Sequence, residues 1–283
     1  MKKFIKKLKY SPHEITESIT SDLMTFYEIV EFNIDKLLGK YNCLKKNKIL
    51  KNQKINQRII ILGNSPSLKE YDLKKLKNEN VIMVNRSFRH KDYKIIKPEF
   101  HIFIDPKLAN GIWPLEYLDE IYEKNPNVKL LLNAKWYNLN HFTKYKNNPN
   151  VFWIKDRLIS LLFDAFETDL TKNFTNVGNV VGSGLGLAIH LGAKKIYFMG
   201  MELNGVIKLL ADQDSHFEGK DKDYENHNSF KWSRDLSANA RGIRLWIRMN
   251  DLCKKKQIKL INLSKSKLMD FMPLEKFNEL FLD

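Results

Sequence analysis

Residues 58–68 read RIIILGNSPSL. The apolar run Ile59 to Leu62 enters Gly63-Asn64-Ser65-Pro66-Ser67 with no transition. A short apolar run bounded by turn residues reads as a buried strand. The pattern recurs outward from it. Further strands are predicted at 81–84 (VIMV), 101–104 (HIFI), 129–132 (KLLL), 151–154 (VFWI), 195–199 (KIYFM) and 258–261 (IKLI), with helical stretches between many of them. Such alternation predicts an α/β fold, a Rossmann-like, mostly parallel sheet flanked by helices. Residues 183–192, SGLGLAIHLG, read as an apolar helix closed by Gly192, and they run directly into the strand KIYFM.

The chain has 283 residues, of which 43% are hydrophobic, so one large domain or a domain with an appendage can bury a core. The net charge of +15 points to an anionic partner. Cys43 and Cys253 stand far apart, which fits neither a metal-ligand spacing nor a disulfide framework, so a reducing cytoplasm is the expectation. No signal sequence is legible, no apolar run approaches the ~20 residues of a spanning helix, and no solenoid repeat is present in the sequence.

Two units are expected. Residues 1–57 form an amphipathic, basic helical extension and linker, and 58–283 form the Rossmann-like domain. Residues 1–54 hold 12 Lys against 6 Asp plus Glu. Ile15, Ile19, Leu23, Phe26, Val30 and Ile34 recur at helical spacing. That stripe would pack on the main domain or on another subunit of a homo-oligomer. A second expectation is contact of residues 1–10, with Lys2, Lys3, Lys6, Lys7 and Lys9, to an anionic membrane surface.

In an open α/β sheet, ligands bind beyond the carboxyl ends of the strands. Gly63, Asn64, Ser65 and Ser67 occupy that place after the first strand. Ser67 and Glu70 fit a capping box whose helix N-terminus would offer N–H groups to a phosphate. The loop is neither a Walker A sequence nor GxGxxG. A tight strand–helix turn without ligand uses the same residues. Asn85, just past the second strand, suits a ribose hydroxyl, though an Asn there also simply caps a turn. Gly182, Ser183 and Gly184 open the apolar helix, as an anion site or as a close helix–sheet contact. Asn204 follows the strand KIYFM.

Residues 212–219, DQDSHFEG, bring His216 into a polar loop. A histidine flanked by carboxylates suits a general base near neutral pH, able to deprotonate a sugar hydroxyl. An exposed or capping histidine is the alternative. Asp212 and Asp214 match DxD, a short pattern that occurs often by chance.

The order of these pieces resembles bacterial sialyltransferases of the Campylobacter lipooligosaccharide type. Those carry GNGPSL near the start, against GNSPSL at 63–68; a strand ending in CNQF, against VNRSF at 84–88; a TSG segment leading to a strand ending in SG, against 182–200; and SHY, against Ser215-His216-Phe217. The match runs over about residues 58–265. It implies a variant GT-A fold, a CMP-sialic acid donor and no metal. Carried over, Asn64 and Asn85 contact CMP, Gly182, Ser183 and Gly184 hold the donor sugar's carboxylate, and His216 is the base. The tyrosines that serve the leaving phosphate have no counterpart in GMELNGVIKLL, 200–210, so Asn204 and Lys208 are the candidate replacements. IKPEFHIFIDP, 96–106, and the GSG-to-GMEL stretch also resemble the 6-hydroxymethylpterin pyrophosphokinase-like family.

The expected function is therefore an inverting glycosyltransferase. It would move sialic acid or a related keto-acid sugar from a CMP-linked donor to a hydroxyl of a cell-surface glycan or glycolipid. It would work in the cytoplasm, peripheral to the inner face of the membrane, without a metal cofactor. The alternatives are a Mg-ATP-dependent pterin pyrophosphokinase-like enzyme and a non-catalytic nucleotide-binding module. A nucleic-acid partner is not expected, because no aromatic-interleaved basic motif is present in the sequence.

Overall fold

The computed structural model describes residues 12–161, 163, 165–219 and 224–281. The lysine-rich residues 1–10 expected at a membrane surface lie outside the described residues. Eight strands, β1 Arg58–Leu62, β2 Val81–Val84, β3 Phe100–Phe103, β4 Lys129–Asn133, β5 Val151–Leu158, β6 Asn173–Asn176, β7 Lys195–Met199 and β8 Lys259–Asn262, form one sheet. The strand order is β6-β5-β4-β3-β2-β1-β7-β8, and every pairing is parallel. The longer helices are α1 Pro12–Leu37, α2 Glu116–Lys124, α3 Val180–His190 and α4 Ser229–Lys255.

The expected parallel α/β sheet is observed, and both of its faces are covered. Successive residues of β1 divide between two cores: Ile59 and Ile61 pack with α3 and with Leu245, Trp246 and Met249 of α4, whereas Ile60 and Leu62 pack with Leu68, Leu73 and Leu76. Burial on both faces explains why these strands read as continuous apolar runs rather than alternating ones. The strand expected at 101–104 pairs as 100–103, and that at 258–261 as 259–262. β6, with the sequence NFTN, was not legible as a strand, because three of its four residues are polar. It pairs with the extra length of β5, from Lys155 to Leu158, beyond the predicted end.

The capping box at Ser67 and Glu70 is not formed. Pro66–Glu70 is a short 3-10 turn, and the Ser67 hydroxyl donates to the Glu202 carboxylate instead. No helix dipole therefore aims at a ligand after β1.

The N-terminal extension divides. The 3-10 helix Asn42–Leu50 is built into the body of the domain. Asn47 is fully buried and donates to the backbone oxygens of Trp153 and Leu170, while His190 Nε2 bonds its carbonyl. α1 turns Ser18, Ser21, Asp22 and Thr25 inward, together with the core residue Phe32. Asp22 accepts from Ser160 Oγ at 2.7 Å and Leu161 N at 2.9 Å, and Glu17 pairs with Arg244 of α4. The stripe Ile19, Leu23, Phe26, Val30 and Ile34, expected to seek a partner surface, is exposed. Among the described residues, no helix is long and apolar enough to cross a membrane.

Asn47→Ala strands two buried carbonyls, and each buried unsatisfied group costs about 1–3 kcal/mol. The expected result is a urea midpoint lowered by the equivalent of about 2 kcal/mol, with an unchanged slope. An unaltered midpoint would separate Asn42–Leu50 energetically from the domain.

Candidate active site

The strand order reverses between β1 and β7, the place where an open α/β sheet usually binds its ligand. Here that junction is closed by the protein itself. Gly63 N donates to Met199 O at 2.8 Å, and Ser65 N to Gly200 O at 3.0 Å. A Cβ on Gly63 would lie 2.3 Å from Gly200 O, so only glycine permits this approach. Below the zipper sits Glu202, 4% exposed, whose two carboxylate oxygens accept from Ser65 Oγ and Ser67 Oγ. Lys208 Nζ stands 3.5 Å from the same carboxylate. The hydroxyls read from sequence as phosphate ligands are thus engaged by an internal anion.

Two cavities flank the junction. One, of about 720 Å³, is lined by Ser67, Tyr71, Glu202, Asn204, Lys208 and Lys265 among others. The other, of about 470 Å³, lies over the carboxyl ends of β2 to β6. It is lined by Asn85, Asp105, Asn133, Asp156, Arg157, Asn176 and Asn179, with Glu28 of α1 closing one side. Five consecutive strands each deliver an amide or carboxylate side chain within two residues of their end. Several of these also serve their own turns. Asp105, Asn133 and Asn179 accept from the N–H groups of Lys107, Lys135 and Gly182 at 2.9–3.0 Å.

Asn85 is the residue of that row singled out from sequence. It holds φ at +43°, a left-handed value that asparagine tolerates better than most residues. Three bonds keep it there. Its carbonyl accepts from His101 Nε2 at 2.7 Å, its Oδ1 accepts from Ile104 N at 3.4 Å, and His101 Nδ1 bonds Tyr93 Oη at 3.1 Å. His101 is fully buried, and desolvation pushes its pKa down to about 4, against a smaller opposing effect of the Asn85 carbonyl. At neutral pH it is therefore neutral, with Nε2–H donating to Asn85 and Nδ1 accepting from Tyr93.

The loop carrying His216 folds over the ends of β1 and β2. Phe217 N donates to Asn64 O at 2.9 Å, and Glu218 pairs with Arg86 at 3.2 Å and Arg89 at 3.4 Å. The Phe217 ring packs edge-on to His90 at 5.4 Å. Asn64 Oδ1 is buried with no hydrogen-bond partner, and so is Ser215 Oγ. Asp212 and Asp214 are exposed, and Asp214 lies 3.9 Å from Lys69. Among the described residues, no group of three acidic, histidine or cysteine side chains could hold a metal ion.

The predicted residues thus fall into three places. Asn64 meets the His216 loop through Phe217 N, and Asn85 heads the adjoining 470 Å³ cavity. Ser67, Asn204 and Lys208 line the other cavity. Gly182, Ser183 and Gly184 lie inside α3, all buried. A Cβ on Gly182 would meet Asn176 Oδ1 at 2.0 Å and one on Gly184 would meet Ile61 at 2.9 Å, which is close helix–sheet packing. Ser183 Oγ accepts from Asn176 Nδ2 at 3.0 Å, so it reaches the cavity through Asn176. Sequence reasoning missed Glu28, Asp105, Asn133, Asp156, Asn176 and Asn179. Asn133 and Asp105 carried the same signal as Asn85, a polar residue directly after an apolar run. Glu28 carried none, because its place depends on how α1 packs.

The family model of 6-hydroxymethylpterin diphosphokinase MptE-like proteins matches residues 33–206, more than half of the chain. No curated protein is significantly similar to it. Among solved structures, the chain is similar to the sialyltransferase CstII from Campylobacter jejuni in complex with a substrate analogue, cytidine-5′-monophosphate. The two share 20% identity and a TM-score of 0.43, over 78% of this chain and 85% of that one.

The buried His101 gives a pH dependence with a definite sign. An unfolded histidine takes up its proton near pH 6.5, and the folded one near 4. Between those values the unfolded chain binds a proton that the folded chain lacks, so stability is lost as pH falls from 6.5 toward 4. The loss from this one residue is roughly 3 kcal/mol. Urea unfolding across that window should show a shallower dependence for His101→Phe than for the wild type. Equal slopes would remove His101 as the cause.

Proposed function

Because the chain belongs to the 6-hydroxymethylpterin diphosphokinase MptE-like family, we propose that the carboxyl edge of its sheet is a nucleotide-dependent group-transfer site. The observation that carries this reading is the clamp of the His216 loop onto both the Asn64 loop and the Arg86–Arg89 turn. It brings the loop that carries His216 against Asn64 and against the turn that follows Asn85, which supports reading His216 as the base.

The reaction proposed is inverting transfer of sialic acid or a related keto-acid sugar from a CMP-linked donor to a hydroxyl of a cell-surface glycan or glycolipid. His216 takes the proton of the acceptor hydroxyl. The acceptor oxygen bonds to the anomeric carbon as the bond from that carbon to the phosphate oxygen breaks, and CMP leaves with the electron pair. Asn64 and Asn85 bind CMP. The unpartnered Asn64 Oδ1 is an acceptor for the exocyclic amine of cytosine. Of the residues expected to hold the donor sugar, Gly182 and Gly184 are taken up in packing, and Ser183 acts through Asn176, which faces the cavity. Asn204 and Lys208 serve the leaving phosphate, for which Lys208 exchanges its contact to Glu202. No metal is required by this route. The place proposed for it is the cytoplasmic side, peripheral to the membrane.

A second reading is favoured by the family match and by Asp105 and Asp156, which both line the 470 Å³ cavity. It is transfer of a diphosphate from ATP to a hydroxymethyl group. Magnesium with a nucleotide triphosphate needs only one or two protein carboxylates, and these two would hold it. The same base then serves the acceptor hydroxyl.

Thermal melts with CMP and with ATP, each with and without Mg²⁺, distinguish the readings. A ligand at ~100 times its Kd adds ~2.7 kcal/mol. Stabilisation by CMP without metal is the expected outcome, and stabilisation by Mg-ATP alone would replace the first reading with the second. With the donor identified, His216→Ala should retain nucleotide binding and lose about 10²–10⁴-fold in kcat. Unchanged turnover would remove His216 from the base role.

A further inference from the structure

Helix α1 faces outward with the side that a helix normally buries. Ser18, Ser21, Asp22 and Thr25 are buried against the body of the domain. On the opposite side Leu23 is 65%, Phe26 66% and Leu37 89% exposed, with Ile19 and Val30 beside them at 47% and 41%. These residues recur three and four apart, in the order Ile19, Leu23, Phe26, Val30, Asn33, Leu37. That is a heptad seam, the spacing that lets one helix lie along another. Asn33 occupies one seam position, and a lone polar residue there is a device that sets register and number of strands.

We propose that this seam is the self-association surface of the protein, covered by α1 of a second copy related by a twofold axis. A charge argument selects the occupant. The face that enters an anionic lipid surface is rimmed by Lys and Arg. α1 instead carries six acidic residues and a single lysine, Lys36, and no arginine. A bilayer, moreover, makes no use of a heptad register or of an Asn within it. A twofold pairing is isologous, so each stripe meets its own copy and needs no second surface. The acidic side of α1 is turned toward the domain, where Glu17 holds Arg244, and this leaves the seam itself free of charge.

The test uses the full chain. Sedimentation velocity at tens of micromolar should give twice the chain mass for the wild type and one chain mass for Leu23→Glu/Phe26→Glu, with the melting profile kept. Four seam side chains are lost from each dimer, so the dissociation constant should rise by more than about 10⁴-fold. Phe26→Cys in an otherwise wild-type chain supplies a readout that does not rely on that variant folding. It lies near the middle of the stripe, where either helix direction brings the two copies together, and mild oxidation should give a covalent dimer. A monomeric wild type, a dimer that persists in the double variant, or absence of the cross-link would overturn the proposal. So would binding of a monomeric wild type to phosphatidylglycerol vesicles that the double variant loses, which assigns the stripe to lipid.

Discussion

The junction of β1 with β7 governs the rest of the molecule. Two backbone bonds, from Gly63 to Met199 and from Ser65 to Gly200, close the place where strand order reverses. A buried carboxylate costs several kcal/mol in lost hydration, and Glu202 is stable there because two serine hydroxyls and Lys208 surround it. The consequence is geometric. The crevice that an open sheet would offer at its switch point is filled by side chains of the protein, and the space left for a ligand is divided into two cavities on either side.

That division gives the two edges different chemistry. Over β2 to β6 the polar lining is amide and carboxylate with one guanidinium, Arg157. Beside β7 and β8 it mixes Lys208 and Lys265 with Glu202 and Glu70. The His216 loop is tied to the first edge, through Asn64 on one side and Arg86 and Arg89 on the other. Beneath it, neutral His101 holds Asn85 in a left-handed conformation from a fully buried position. The His216 loop is held over this layer by Phe217 N bonding Asn64 O, by the Phe217 ring against His90 and by Glu218 with Arg86 and Arg89.

The extension at the N-terminus shows a second constraint. α1 satisfies its buried acids with Ser160, the Leu161 N–H and Arg244, and in doing so sends its apolar stripe to solvent. Burying polar groups in pairs is tolerated, but exposing so long an apolar stripe has a cost that a partner surface relieves. Glu28 on the same helix closes the amide-lined cavity, so the packing of α1 also shapes the candidate site.

The fold was legible in RIIIL, VIMV and KIYFM because strands buried on both faces must be apolar at every position, a property of single residues in order. The polar ends of those strands, Asn64 and Asn85 among them, were legible for the same reason. β6 was not, since NFTN has no apolar run and pairs only because β5 runs on past its predicted end. Nor was the fate of Ser65 and Ser67, which depends on Glu202, more than a hundred residues away. The outward face of α1 was equally hidden, because helical spacing records that a stripe exists and not which way it points. By itself the sequence determined the parallel sheet and the polar ends of its most apolar strands, Asn64 and Asn85. Only the tertiary structure decided which of those groups meet each other and which meet a cavity, since partners for a buried hydrogen bond are set by three-dimensional packing rather than by order along the chain.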